Sequence, residues 1–291
     1  MKKSSADKSL FLFIQNAVAT IMRHPLILYP LCISVFIQLL ILEILYFAPR
    51  WPLSLFFGPI IRRLYNEAYL HYPFNFQLVP KLFFYAQIPL YFLITAYLSA
   101  MTVSMIASIR NEKTISLRSA FRKTRSSYIH IVIAAILTFL TIFPLLKGYE
   151  LIFERALRIK SETGVFFIMR SIVVYGRPYF NLLIDVIVTT LYIFVIPAIV
   201  IDKLKIHRAF TENFKILSRS FFFMLGIVLI PGLIYVPVLM LRSIIGTSAL
   251  SLTMPGLAGL IIALSVFAKL LIEALVLTAT TTYYLMAKEK K

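Results

Sequence analysis

Acidic residues are scarce in this chain. Twelve Asp and Glu stand against thirty Lys and Arg in 291 residues, and charged residues of both signs make up 14%. A water-soluble domain carries a charged fraction of roughly 25%. Charge solvates a protein surface, and too little is present here to cover one, which excludes a large soluble module. Cysteine is limited to Cys32, so no internal disulfide can form. The four histidines, His24, His71, His130 and His207, lie far apart and lack metal-ligand spacing. No His-Glu-x-x-His, Gly-x-Ser-x-Gly, P-loop or Rossmann fingerprint is present. No Cys or Ser nucleophile stands beside a base in the sequence. The expectation is a non-enzyme with no catalytic residues, no metal and no cofactor; ATP-driven work would need a separate ATPase.

What is present is apolar. Hydrophobic residues make up 60% of the chain and mean hydropathy is +0.88, so residues 1–291 read as a single integral membrane domain. The net charge of +18 fits nucleic acid or an anionic membrane surface. Lys and Arg sit mostly at the ends of apolar stretches, which favours lipid headgroups and argues against nucleic acid. At the N-terminus, Met1-Lys2-Lys3 and Ala17-Val18-Ala19 have the look of a signal peptide. The apolar run Leu10 to Ile14 is shorter than the ~7–15 residues such a segment needs, so the expectation is that it is retained.

A bilayer core about 30 Å thick takes ~20 apolar residues of helix. Six stretches qualify: Leu26–Phe47, Leu82–Ile109, Ile129–Leu146, Phe180–Ile201, Phe221–Ile245 and Leu257–Tyr284. The fold class expected is all-α, a polytopic helical membrane protein. Pro231 and Gly232 fall inside the fifth stretch and predict a kink there. With both ends inside, the inner segments carry eighteen Lys and Arg against eleven in the outer segments. That asymmetry predicts cytoplasmic termini in a cell membrane, although six of the eleven crowd into residues 147–179.

Three inner segments share a pattern: a short amphipathic helix leading into an outgoing span. In Lys203–Phe221 the apolar face is Ile206, Phe210, Phe214, Leu217 and Phe221, opposed by Arg208, Glu212, Lys215 and Arg219. In Ser116–Tyr128, Leu117, Phe121, Thr124 and Tyr128 share a face, with Arg118, Arg122 and Arg125 beside it. In Lys8–Arg23, Phe11, Ile14, Val18 and Ile21 oppose Asn16 and Arg23. Helices of this kind lie in the headgroup plane with their cations toward anionic phosphates. The chain thus reads as three degenerate repeats, approximately 5–109, 110–201 and 202–287, each an elbow helix and two spans.

Further residues are Arg23-His24-Pro25 before span one, Val195-Ile196-Pro197 through Ile201-Asp202 leaving span four, and Arg208-Ala209-Phe210 with Leu217-Ser218-Arg219-Ser220. On these the layout resembles the YciC-like proteins and the membrane domain attached to some glycerophosphodiester phosphodiesterases. The resemblance implies a polytopic membrane protein of poorly known function. It brings no catalytic residues, and no phosphodiesterase domain is present.

Charges at membrane depth cost ~2.5–3.5 kcal/mol each on insertion scales, so those retained are candidates for function. Lys269 and Glu273 stand one turn apart in span six and are spaced to pair directly. Asp185 in span four and Glu43 near the end of span one are within reach of Lys269. Lys147 and Arg242 read as snorkelling anchors. Small residues at intervals of four, Ala96, Ala100, Ser104 and Ser108 in span two, predict a packing face, as do Gly259, Ala263, Ala274 and Thr278 in span six. In loop 48–81, Leu53–Tyr69 predicts a surface helix with Arg62 and Arg63 toward water. In loop 147–179, Tyr149–Lys160 should continue span three, and Thr163–Val174 should be interfacial or re-entrant. Two functions fit: an accessory or organising protein acting on anionic lipid or a membrane partner, or a transporter or permease subunit using the buried charges.

Overall fold

A computed structural model describes residues 10–72, 74–111, 114–159, 164–247 and 256–289. It is helical throughout, with no strand among those residues. Helix is what apolar solvent demands, because lipid offers no partner to an unpaired backbone N–H or C=O. Six helical segments are long and apolar enough to cross a membrane: Pro25–Phe47, Phe74–Arg110, Tyr128–Leu157, Gly164–Ile201, Phe221–Ser243 and Gly256–Glu289. They are spans one to six of an all-α, multi-pass membrane protein.

Several spans outrun a bilayer. Helix α7 (Tyr128–Leu157) has 30 residues and is about 45 Å long. Helix α8 (Gly164–Leu191) packs antiparallel to it. The Tyr149 hydroxyl donates to the Val173 carbonyl at 2.6 Å, and the Arg177 guanidinium lies 4.4 Å from the Phe153 ring centroid. Residues 164–174 are therefore the start of span four, not a separate interfacial or re-entrant segment. Thr163 and Lys160 lie outside the described residues. In loop 48–81 the expected surface helix divides into α3 (Ser54–Leu64) and a 3₁₀ turn at Glu67–Leu70. Arg62 and Arg63 are exposed, and Arg62 pairs with Glu67 at 3.4 Å.

The elbows are α1 (Leu10–Arg23), α6 (Leu117–Arg125) and α10 (Ile206–Leu217). The Ser116 side chain caps α6 by accepting from the Ser119 N–H. Their docked faces differ from the predicted ones. The buried residues are Phe13 and Ala17 in α1, Ala120 and Thr124 in α6, and Ala209, Asn213, Ile216 and Leu217 in α10. Phe11, Phe121 and Phe214 remain 74%, 47% and 46% exposed. At 100° per residue they stand roughly a quarter turn or more from the buried seam, so each elbow has one edge for protein and another for lipid. The cations complete the third sector: Arg118, Arg122, Arg125, Arg208, Lys215 and Arg219 are all exposed. Lys8 lies outside the described residues.

The remaining helices are α2 (Tyr29–Phe47), α4 (Phe74–Leu90), α5 (Ala96–Arg110), α9 (Val195–Ile201), α11 (Phe221–Gly232), α12 (Val236–Thr247) and α13 (Gly256–Glu289). Elbow α6 lies on α5, α10 on α9, and α1 on α13. Each elbow thus leans on span two, four or six. These three spans meet one another through α5 with α9, α5 with α13, and Phe194 stacked on Tyr283 at 5.9 Å. Span one packs against six and two, span three against two and four, and span five against four and six. Spans two and four are the most buried, and span six contacts both of them as well as spans one and five.

The small-residue prediction splits. Ala96, Ala100 and Ser104 are buried in span two, and Ala274 and Thr278 in span six, but a Cβ on Gly259 would meet nothing within 4 Å. The close approach is at Gly226, where a Cβ would come 2.9 Å from the Leu10 side chain. Glycine there lets elbow α1 settle against span five.

Candidate functional site

Spans two, four and six are all packed together at the elbow end, while at the hairpin end Val79 and Phe83 of span two pack with Val266 of span six. Residues Leu98 to Ala107 of α5 are buried without interruption, as are Pro197 to Val200 of α9. Toward the hairpin end exposure returns. Tyr91 is 41% exposed, and Asp185 and Lys269 are exposed too. Tyr91 and Lys269 both lie near Glu273 and Asp185. Asp185, Tyr91 and Lys269 all keep accessible surface.

Three departures from α-helix lie in the spans around this cluster. Span two makes a π turn at Tyr91–Thr95, a wide turn common at functional sites. The α-helix of span five runs through Pro231 and Gly232 and then passes into a 3₁₀ turn at Leu233–Tyr235. Span four breaks at Tyr192–Phe194, where Asn213 of α10 mends the backbone. Its Oδ1 accepts from the Phe194 N–H at 2.9 Å, and its Nδ2 donates to the Leu191 carbonyl at 2.7 Å.

The predicted Lys269–Glu273 ion pair does not form. Among the described residues the ion pairs are Arg62–Glu67, Arg110–Glu289, Lys147–Glu150 and Lys288–Asp202. Glu273 instead accepts a short hydrogen bond from the Ser99 hydroxyl. Lys269 Nζ sits 5.8 Å from the centroid of Tyr235, in the 3₁₀ turn of span five, a cation–π arrangement. One-turn spacing permitted the pair, but a hydroxyl on span two and a ring on span five claimed the two side chains separately. Glu43 lies apart, exposed on span one.

A polar chain that sequence reading passed over leads to Glu273. Gln87 Nε2 donates to Gln38 Oε1 at 3.2 Å, and Gln38 Nε2 donates to Ser34 Oγ at 3.2 Å. Ser34 Oγ and Thr95 Oγ1 are 3.1 Å apart, and the single Ser99 Oγ–H lies within reach of two acceptors, the Thr95 carbonyl at 2.9 Å and the Glu273 carboxylate. The signal available in sequence was two glutamines inside apolar spans.

At the elbow end a clasp ties spans two, four and six together. Asp202, leaving span four, accepts short hydrogen bonds from the Tyr284 hydroxyl and the Lys288 ammonium of span six. Arg110 at the end of span two forks onto Glu289, Nε to Oε1 at 3.0 Å and Nη2 to Oε2 at 2.9 Å. Between Glu273 and this clasp, the Thr278 and Thr281 hydroxyls are buried without a hydrogen-bond partner.

At the hairpin end an open cleft of about 210 Å³ is lined by Pro80, Lys81, Phe84, Tyr85 and Arg242. Arg242, at the end of span five, is one of the residues that line it. Lys147 does pair locally, with Glu150 at 2.6 Å. No group of His, Cys, Asp or Glu suited to a metal occurs among the described residues. Compared with protein-family models, with curated proteins and with solved structures, the chain matches none.

Proposed function

We propose that this chain is a membrane carrier or permease subunit whose path runs between spans two, four and six. One observation carries the reading. Lys269, Glu273 and Asp185 lie near one another in the middle of spans six and four beside the 3₁₀ turn of span five, and none of them is in an ion pair among the described residues. A dry structural pair would lower the cost of both charges by contact; these keep accessible surface instead. Two further features support the reading. The buried Thr278 and Thr281 hydroxyls each forgo about 1–3 kcal/mol, which a conformation opening the elbow half would recover. The cyclic packing of elbows on spans two, four and six suits three related units moving against one another, as the repeat and the layout shared with YciC-like proteins suggest. The basic elbows put the termini at the cytoplasmic face of a cell membrane on this reading.

The test is aqueous access. In a Cys32→Ser background, Lys269→Cys in sealed vesicles should react with a membrane-impermeant cationic thiol reagent applied from the hairpin side. Its rate should lie within about tenfold of a loop cysteine, since an open path leaves the thiolate hydrated. A position 269 unreactive from both sides would overturn the carrier reading.

The exposed elbow cations favour a second reading, an organising protein that grips anionic lipid. Replacing Arg118, Arg122 and Arg125 with Glu should then invert or scramble the topology of spans three and four, since basic flanks set orientation. The check is a reporter-fusion assay, and unchanged topology would remove that role.

A further inference from the structure

We propose that the hairpin-end cleft is an entry site for a phosphate ester, supplied either as a phospholipid headgroup or as a small soluble phosphate. This names the substrate class for the path described above and rests on that reading. Lys81 and Arg242 are brought to one cleft from spans two and five. Both are exposed, and neither is in an ion pair among the described residues. Two unpaired cations on one small concave surface repel each other, an arrangement an anion between them relieves. The donor set suits an oxyanion: an arginine fork, an ammonium and the exposed Tyr85 hydroxyl. The rest of the lining suits carbon. Phe84 and Tyr85 are 56% and 59% exposed, and with Pro80 they offer an apolar wall for a glycerol or acyl portion.

Depth agrees with this assignment. Span two has 37 residues, about 55 Å of helix against a core of about 30 Å. Lys81, near its start, therefore sits at headgroup level, as does Arg242 at the end of span five. From Lys81 to Tyr91 is about 15 Å along the helix, and from Arg242 to Tyr235 about 10 Å. An anion held at the cleft thus stands some two to three turns from the cluster where Lys269 is the next cation.

The experiment is equilibrium binding to the full chain in detergent. The probes are inorganic phosphate, glycerol 3-phosphate and short-chain phosphatidic acid, with zwitterionic short-chain phosphatidylcholine as control. At least one anionic probe should bind about tenfold or more tighter than the control, and Lys81→Gln with Arg242→Gln should abolish that margin. Lys81→Arg should keep it, and so should neutralising the elbow arginines Arg118, Arg122 and Arg125. Binding of phosphatidic acid alone identifies a lipid source, and equal competition by glycerol 3-phosphate identifies a soluble one. The proposal is overturned if the double variant binds like the parent, if the elbow variant is the one that loses binding, or if no anion outcompetes the control. In that last case the two residues are snorkelling anchors only. Thiol reactivity at position 269 is read in the same double variant. Retained reactivity with lost binding leaves the carrier reading standing; lost reactivity of the parent overturns that reading and the cleft's role as an entry.

Discussion

Asn213→Leu is expected to lower the melting temperature of the detergent-solubilised protein by about 5–10 °C. Asn213 is fully buried, and its amide serves as both acceptor and donor for the backbone of span four. The Phe194 N–H and the Leu191 carbonyl sit where the helix is interrupted, so neither has its usual partner four residues away. Leucine fills similar space and removes both hydrogen bonds. Two buried backbone groups left unpaired cost about 1–3 kcal/mol each, or roughly 2–4 kcal/mol together after some local relaxation. The effect should localise to the break between α8 and α9. There Phe194 packs on Tyr283 and Tyr284, so loosening it also loosens span six. The matching control is Thr211→Val on the same helix, whose hydroxyl bonds the His207 carbonyl in an exposed setting; it should shift stability by less than about 0.5 kcal/mol. Equal melting of both variants and the parent, read by size-exclusion chromatography after heating, would mean that Asn213 does not support the break.

The elbows show which information a membrane sequence carries and which it hides. Their existence and limits were legible, because helical spacing and basic faces mark an interfacial helix. Their docking faces were not. Lipid is as apolar as a protein core, so Phe11, Phe121 and Phe214 stand out in the pattern while the docking falls to Phe13, Ala120, Thr124 and Ala209. The spans were found by hydropathy but cut short, since helix continues through Phe74–Lys81 and Gly164–Tyr179, where arginine, lysine and proline interrupt the apolar run. In the candidate site, Lys269, Glu273, Asp185 and Pro231-Gly232 were readable as anomalies in apolar runs. Their partners were not. The choice between Glu273 pairing with Lys269 or with Ser99 is made by how spans two and six pack, and residue spacing is silent on that. Asp202 was visible only as an acidic residue leaving span four, because its partners Tyr284 and Lys288 are more than eighty residues away.

That distant pairing makes Asp202 the strongest test of how the bundle moves. If the clasp holds the elbow end shut, Asp202→Ala should open it. The substitution leaves the Tyr284 hydroxyl buried without its acceptor and the Lys288 ammonium without its carboxylate, both in the closed arrangement. A closed state weakened by about 2 kcal/mol relative to an open one shifts their ratio about thirtyfold. Thr281 reports on this directly, being fully buried between Glu273 and the clasp. With Cys32 replaced by Ser, Thr281→Cys should be inert to a membrane-impermeant thiol reagent applied from the elbow side. Adding Asp202→Ala should raise its reaction rate by about tenfold or more, and Asp202→Asn by less, since an amide oxygen can still accept from Tyr284 but offers Lys288 no charge. Reactivity of Lys269→Cys from the hairpin side should fall in the same variant, because a path open at both ends would leak. A purely structural clasp gives a different pattern: Asp202→Ala would lower the melting temperature while Thr281→Cys stayed inert and Lys269→Cys unchanged. The two cysteine rates, read in opposite directions from opposite faces, separate a gate from a brace.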